Sequence, residues 1–228
     1  MKYLSVVEIF SSIEGEGIRA GYPTTFIRLA GCNLHCSYCD SRYACELPDP
    51  VFQDTSPFKE MTIFSIVLEA IDLKNRRITI TGGEPLIHDN VIDLINELQA
   101  VPEPQFEINV ETNGSILLDE VLASKPALIT MDWKSLSSGM SEDMKWDNLQ
   151  MLREQDVLKF VVGDLVDLFQ MQQVVEQTRP RCHIFVSPVF GKIDLKFIVD
   201  FLKVSDLQNI RLQLQIHKII WDPSKRGV

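Results

Sequence analysis

Three cysteines stand close together in "CNLHCSYC": Cys32, Cys36 and Cys39, with three and then two residues between them. Thiolates are soft ligands that suit zinc or iron–sulfur clusters. Sites built only from thiolates usually use four, so this pattern is one ligand short. A histidine could complete a zinc site, and the chain offers His35, His88, His183 and His217. Structural zinc modules usually present two separated pairs of ligands, whereas here the three thiolates share one short segment. A cubane iron–sulfur cluster on three thiolates keeps one iron open to a small chelating molecule. An open position marks catalysis, and a closed one marks structure. The spacing favours the cluster and leaves zinc as its rival. Cys45 and Cys182 fall outside the pattern and read as structural thiols.

Something must hold this segment. "TTFIRLAG" (24–31), a β-rich run, leads directly into it. Similar runs recur at 76–83, 106–114, 126–133, 156–164, 181–188 and 210–218, most closed by turn residues. Between them, "IFSIVLEAIDLKN", "NVIDLINELQA", "LVDLFQMQQVVEQT" and "LKFIVDFLKV" repeat apolar residues at helical spacing. Alternating strands and helices predict a parallel sheet covered by helices, either open or curled into a barrel. In both, sites gather at the C-terminal ends of the strands. The segment 47–61, rich in Pro and polar residues, reads as a loop inserted into a single domain spanning 1–228. In "ITITGGEP" (78–85) two glycines allow the backbone to come close to a ligand, and Pro85 suits a helix start.

The bulk numbers exclude several classes. A net charge of −10 over 228 residues argues against a nonspecific nucleic-acid binder, which needs a basic face. No segment has the apolar length of a membrane span. The N-terminal stretch has Glu8 inside its apolar run and no small-residue cleavage site, so it does not read as a signal peptide. Five cysteines, three of them crowded, do not look like a disulfide framework. The expectation is a cytoplasmic protein without membrane or nucleic-acid contacts.

"CNLHCSYC", with Tyr38 before its last cysteine, resembles the cluster loop of the radical S-adenosylmethionine (SAM) superfamily, and "TGGEP" resembles that superfamily's Gly-rich loop. The resemblance implies a [4Fe-4S] cluster whose open iron takes the amino and carboxylate groups of SAM. Reductive cleavage of SAM then yields a 5′-deoxyadenosyl radical that abstracts hydrogen from the substrate. "IFSSIEGEGIRAGYPTTFIRLAGCNLHCSYCDS", "TMDWKSLSSGM" and the tail "LQLQIHKIIWDPSKRGV" narrow the resemblance to the 7-carboxy-7-deazaguanine synthase family. That family implies a partial TIM-like barrel of about six parallel strands with fewer helices. It also implies a radical ring contraction of 6-carboxy-5,6,7,8-tetrahydropterin with loss of ammonia, a requirement for Mg2+, a homodimer, and a flavodoxin or ferredoxin as reductant.

Carried over residue by residue, the resemblance gives Cys32, Cys36 and Cys39 to the cluster and Ser41 to magnesium. It gives Tyr38, Cys39, Asp40, Gly83, Asp132, Trp133 and Lys134 to SAM. Ile13, Glu14, Gly15, Arg28, Thr81 and His217 fall to the substrate, with Lys218 beside them. The guanidinium fork of Arg28 suits a carboxylate. Two departures from the family pattern stand out. Glu14 replaces an expected glutamine, and a carboxylate cannot donate a hydrogen bond unless protonated. "MDWK" replaces a Ser-Pro-Lys type segment, where contact with SAM can run through backbone groups. His88 reads as a surface residue, His183 as a core or sheet-face residue, and Asn113-Gly114 after Glu111 as a turn. Two alternatives remain at this point. An activating enzyme for glycyl radicals predicts an exposed groove and no need for magnesium or the arginine. A noncatalytic zinc or cluster module predicts a closed coordination site.

Overall fold

The computed structural model describes residues 1–45 and 58–228. Most of the loop expected at 47–61 lies outside the described residues. Its end does not: Lys59–Thr62 forms an edge strand, β3. The described strands join one nine-stranded sheet in the order β3-β1-β2-β4-β5-β6-β7-β8-β9. β2 (Pro23–Leu29), β4 (Arg77–Gly82), β5 (Glu107–Thr112), β6 (Leu128–Lys134), β7 (Val157–Val162), β8 (His183–Pro188) and β9 (Ile210–Leu212) run parallel. β1 (Tyr3–Ile13) lies antiparallel between β2 and β3. Among the described residues the sheet does not close, and β3 and β9 remain its two edges. It is a partial barrel, with seven parallel strands where about six were expected. The seventh is short. The run 210–218 leaves the sheet after Leu212 and ends in a helical turn, α7 (His217–Ile220).

The helices form where the periodicity placed them. In α1 (Ile63–Asp72) the buried residues are Ile63, Ile66, Val67 and Ala70, and in α2 (Val91–Gln99) they are Val91, Leu94, Ile95 and Leu98. Each set is the i, i+3, i+4, i+7 stripe of a helix lying on a sheet. Thr62 caps α1 by accepting from the Ser65 amide. Asp164 caps α5 (Leu165–Thr178) and Asp194 caps α6 (Leu195–Val204) in the same way. Two shorter helices, α3 (Asp119–Ala123) and α4 (Asn148–Met151), have too few turns to carry a stripe.

Side chains alternate across the sheet, since successive residues of a strand face opposite ways. Ile78, Ile80, Ile108, Val110, Ile129, Met131, Leu158 and Phe160 join the helices in the main apolar core. Their neighbours Thr81, Glu111, Asp132, Lys134 and Lys159 face inward and line a cavity of about 490 Å³. A β-bulge between Val6 and Glu8 lets β1 serve both sides. Leu4 and Val6 belong to the core, and the extra residue turns Glu8 and Phe10 inward against Arg28 and Phe26.

Candidate functional site

The cysteine segment leaves β2 and is tied down by main chain. The amides of Gly31 and Cys32 donate to the carbonyls of Ala44 and Cys45, at 2.7 and 3.1 Å. Cys32, Cys36 and Cys39 all line the cavity. Cys32 Sγ accepts from the Leu34 amide at 3.4 Å and from Asn113 Nδ2 at 3.7 Å. Cys39 Sγ lies 3.7 Å from Cys45 Sγ and 3.9 Å from Ser41 Oγ. Hydrogen bonding from the Cys45 thiol, partly opposed by burial, holds Cys32 and Cys39 each down to about 6, while burial raises Cys36. Among the described residues, no three His, Cys, Asp or Glu side chains already converge on a point that one ion could occupy. Three soft donors around one roomy cavity fit a multi-iron cluster, which spans its ligands more widely than a single ion does.

The two glycines of "TGGEP" have a reason beyond closeness to a ligand. A Cβ on Gly82 would meet the Leu29 carbonyl oxygen at 2.3 Å, and one on Gly83 would meet the Gly31 oxygen at 2.1 Å. The turn therefore packs backbone to backbone against the root of the cysteine segment, and the Glu84 amide donates to Gly31 O at 2.8 Å. The fully buried Glu84 carboxylate then accepts from Leu86 N, Thr112 Oγ1 and Asn113 N, locking the end of β5 to the same place. Asn113 carries that coupling to the Cys32 sulfur, so the Asn-Gly pair is more than a turn.

The floor of the cavity is a chain of charges. Lys159 bridges Glu16 and Asp132, each at 3.0 Å, and Lys134 also binds Asp132 at 3.0 Å. Burial acts to neutralise these groups, but mutual attraction outweighs it, holding Asp132 below the usual carboxylate range and both lysines above theirs. Glu16 also accepts from Ser187 and Gln213. Asp132 Oδ1 is a buried atom held by Lys159 at 3.0 Å. Arg28 gives its Nε to Glu8 at 2.8 Å, and Tyr43 donates to the same carboxylate. Glu14 accepts from Thr79 at 2.7 Å, and burial with the nearby Glu111 charge pushes it up to about 8.

The tail closes the ring. Ile216 N donates to Gly15 O at 3.2 Å, and Lys218 binds Asp40 at 2.7 Å. Any Cβ at Gly15 would lie 2.1 Å from His217 Nδ1. Arg226 stacks 3.9 Å over Tyr43, bringing the last residues along the cavity wall.

Every residue proposed from the sequence lines this cavity except Trp133. Its side chain is 2% exposed and turned to the helix side, edge-on to Trp146 at 5.0 Å. The reason is parity: Asp132 and Lys134 point inward, so the residue between them cannot. His88, expected at the surface, is half-buried and bonded to Ala30 O at 2.7 Å. Cys182 is a buried thiol, but Cys45 lines the cavity. Sequence reasoning missed Lys159, Glu16, Glu8 and Tyr43. For Glu8 and Lys159 the available signal was a charged residue inside a largely apolar strand, and Glu16 and Tyr43, which lie outside the strands, gave none.

Known proteins place the chain. The model of the radical SAM superfamily matches residues 26–155. A 7-carboxy-7-deazaguanine synthase of Clostridium acetobutylicum is 43% identical over 226 residues, covering 98% of each chain. One from Methanospirillum hungatei is 36% identical and covers 96% of this chain and 86% of its own. The crystal structure of QueE from Escherichia coli superposes with a TM-score of 0.65 over 93% of this chain and 94% of that one, at 21% identity, which speaks for the fold. The superfamily implies a [4Fe-4S] cluster and SAM, and the donor set at Cys32, Cys36 and Cys39 suits both. No helix among the described residues is long and apolar enough to cross a membrane. The chain belongs to the radical SAM superfamily and, within it, to the 7-carboxy-7-deazaguanine synthase family.

Proposed function

We propose that the protein converts 6-carboxy-5,6,7,8-tetrahydropterin to 7-carboxy-7-deazaguanine with loss of ammonia, as a single-domain carbon–nitrogen lyase of the cytoplasm. The observation that carries this reading is that one cavity joins a three-thiol segment to a wall of buried charges. When bound and reduced, the cluster and SAM supply a 5′-deoxyadenosyl radical that abstracts hydrogen from the substrate.

The chain's own residues do the rest. Cys32, Cys36 and Cys39 hold the cluster from one short segment that Gly83 and Glu84 keep in place. Tyr38, Asp40, Gly83, Asp132 and Lys134 line the SAM side, with Trp133 acting only through its backbone and its packing. Glu8 fixes Arg28 through Nε, which leaves the guanidinium's terminal N–H groups to meet the substrate carboxylate. Ile13, Glu14, Gly15, Thr81 and His217 surround the pterin ring. A Glu14 carboxyl protonated at neutral pH donates as the expected glutamine amide would, which reconciles that departure. Ser41 offers a hydroxyl to Mg2+, which keeps its waters and takes substrate oxygens. The working form is a homodimer reduced by a flavodoxin or ferredoxin.

The test is an anaerobic assay on cluster-reconstituted protein with reductant, SAM, Mg2+ and the carboxytetrahydropterin, read by mass spectrometry. A product lighter by ammonia, formed with SAM in catalytic amount, is the expected result. Formation of 5′-deoxyadenosine without that product would reject this substrate.

A further inference from the structure

We propose that Cys45 is a fourth thiol of the cluster site, ligating the open iron while SAM is absent and releasing it when SAM arrives. This depends on the superfamily's cluster and not on which substrate follows.

Position is what singles Cys45 out. It stands outside the three-cysteine pattern, six residues past Cys39. Yet its Sγ is 3.7 Å from Cys39 Sγ, and its carbonyl accepts from the Cys32 amide at 3.1 Å. That second bond fixes the backbone of Cys45 beside the first cluster cysteine whatever its side chain does. The turn before it is equally fixed. Ala44 is fully buried, its carbonyl accepts from Gly31 N at 2.7 Å, and Cys45 N donates to Arg42 O at 3.0 Å. Cys45 is therefore held at the cavity's edge and lines the same space as the three ligands. Cys182 is the contrast: it sits in the apolar core, away from the cavity lining.

A thiol beside Cys39 on the same cavity would compete for the iron that the three-cysteine pattern leaves open. As the Fe–S bond forms, water leaves the iron and the thiol proton passes to solvent. No electron moves. When the amino and carboxylate groups of SAM take the iron, the thiolate leaves and recovers a proton. Two consequences follow. The resting cluster has no exposed iron to lose to oxidants, and SAM binds more weakly than it would to an open site because it must displace a ligand.

The experiment compares the cluster-loaded wild-type chain with Cys45→Ala, and with Cys182→Ala as the control for loss of a remote thiol. Each is treated with ferricyanide without SAM, and [3Fe-4S] formation is read by electron paramagnetic resonance. SAM affinity is read from the spectral change on titration. Cys45→Ala is expected to give a several-fold larger [3Fe-4S] signal and several-fold tighter SAM binding, with Cys182→Ala like wild type. Equal signals and equal affinities in all three would overturn the proposal. Should Cys45→Ala not take up a cluster, Mössbauer spectra of 57Fe-loaded wild type decide alone. Four sulfur-ligated irons before SAM, and one shifted toward nitrogen and oxygen ligation after it, are expected. An oxygen-ligated iron already present without SAM would reject the idea. No substrate is used, so failure of the pterin assignment leaves this test intact.

Discussion

The two faces of the parallel sheet are made of the same strands and do opposite things. On β4, Ile78 and Ile80 are fully buried under helices, while Thr79 and Thr81 between and beside them face the cavity side. On β6, Ile129, Met131 and Trp133 pack outward, while Asp132 and Lys134 form an ion pair within. Parallel strands buried on both sides usually read as continuous apolar runs, because helices cover each face. Here the inner face carries charge and lines the cavity instead. Apolar packing holds the outer face, which is insensitive to direction, whereas the inner face depends on paired charges at fixed distances. Residue parity therefore divides apolar packing from the paired charges of the site.

That separation is most exposed to challenge at Lys159. Its side chain is 9% exposed, and it neutralises both Glu16 and Asp132. Lys159→Met removes the lysine from Glu16 and one of two lysines from Asp132, both largely buried, and a broken buried pair costs about 3–5 kcal/mol. The loss should appear in urea denaturation as a lower midpoint with an unchanged slope. A variant as stable as wild type would mean that the inner charges are dispensable to the fold.

Glu14 tests the inner face through pH. Burial first, and then Glu111, raise it from 4.5 to about 8. The folded chain therefore holds a proton that the unfolded chain releases. The associated stability is whole below pH 4.5 and is lost as pH climbs to about 8. A tenfold difference in proton affinity corresponds to about 1.4 kcal/mol, so the fall from neutral to alkaline pH is on the order of that figure. Glu14→Gln keeps a neutral hydrogen-bonding group and should flatten the curve of stability from neutral into mildly alkaline pH. Parallel curves for the two proteins would show that Glu14 is ionised in the fold.

An effect of similar size is expected where the two faces meet at the strand ends. Gly83→Ala forces a methyl against the Gly31 carbonyl and Cys32 Cβ. Such overpacking costs about 1–3 kcal/mol. Because the atoms displaced carry the first cluster cysteine, iron uptake on reconstitution should fall more than stability does. Full iron content at lowered stability would place the clash elsewhere.

How much of this was legible follows from what each signal needs. Four helices were readable because each shows its own stripe, and seven strands because β-rich runs stop at turns. β1 was not, since its alternation changes phase at the bulge and Glu8 looked like an interruption. That bulge is visible only as a mismatch with β2. The cysteine segment was legible as a local spacing, but Cys45 was not. Its tie to Cys32 is a main-chain hydrogen bond, which no residue type announces. Lys159 was likewise hidden, because Glu16, Asp132 and Lys159 come from three distant segments that only the sheet order brings together. The place of the Trp133 side chain, in the core and off the cavity, was hidden for a different reason. A motif transferred as a block ignores the fact that neighbours on a strand point apart.

The smallest expected effect is also the cleanest, since it concerns two adjacent residues. Ile80 is fully buried in the core and pairs with Ile27 and Val110 across the sheet. Thr81, next in the chain, lines the cavity. Ile80→Val removes one methylene from a packed region and should cost about 0.5–1.5 kcal/mol. Since the strand's path is set by its hydrogen bonds to β2 and β5, turnover should stay at the wild-type level. Thr81→Val keeps the shape but deletes a hydroxyl that faces Glu111 and the cavity in which we propose the substrate binds. It should leave the denaturation midpoint nearly unchanged and raise KM or lower kcat several-fold. Measured side by side, the pair assigns stability to one face and activity to the other. If Ile80→Val slowed turnover while Thr81→Val did not, the two faces would not divide the work in this way, and the site would extend through the sheet.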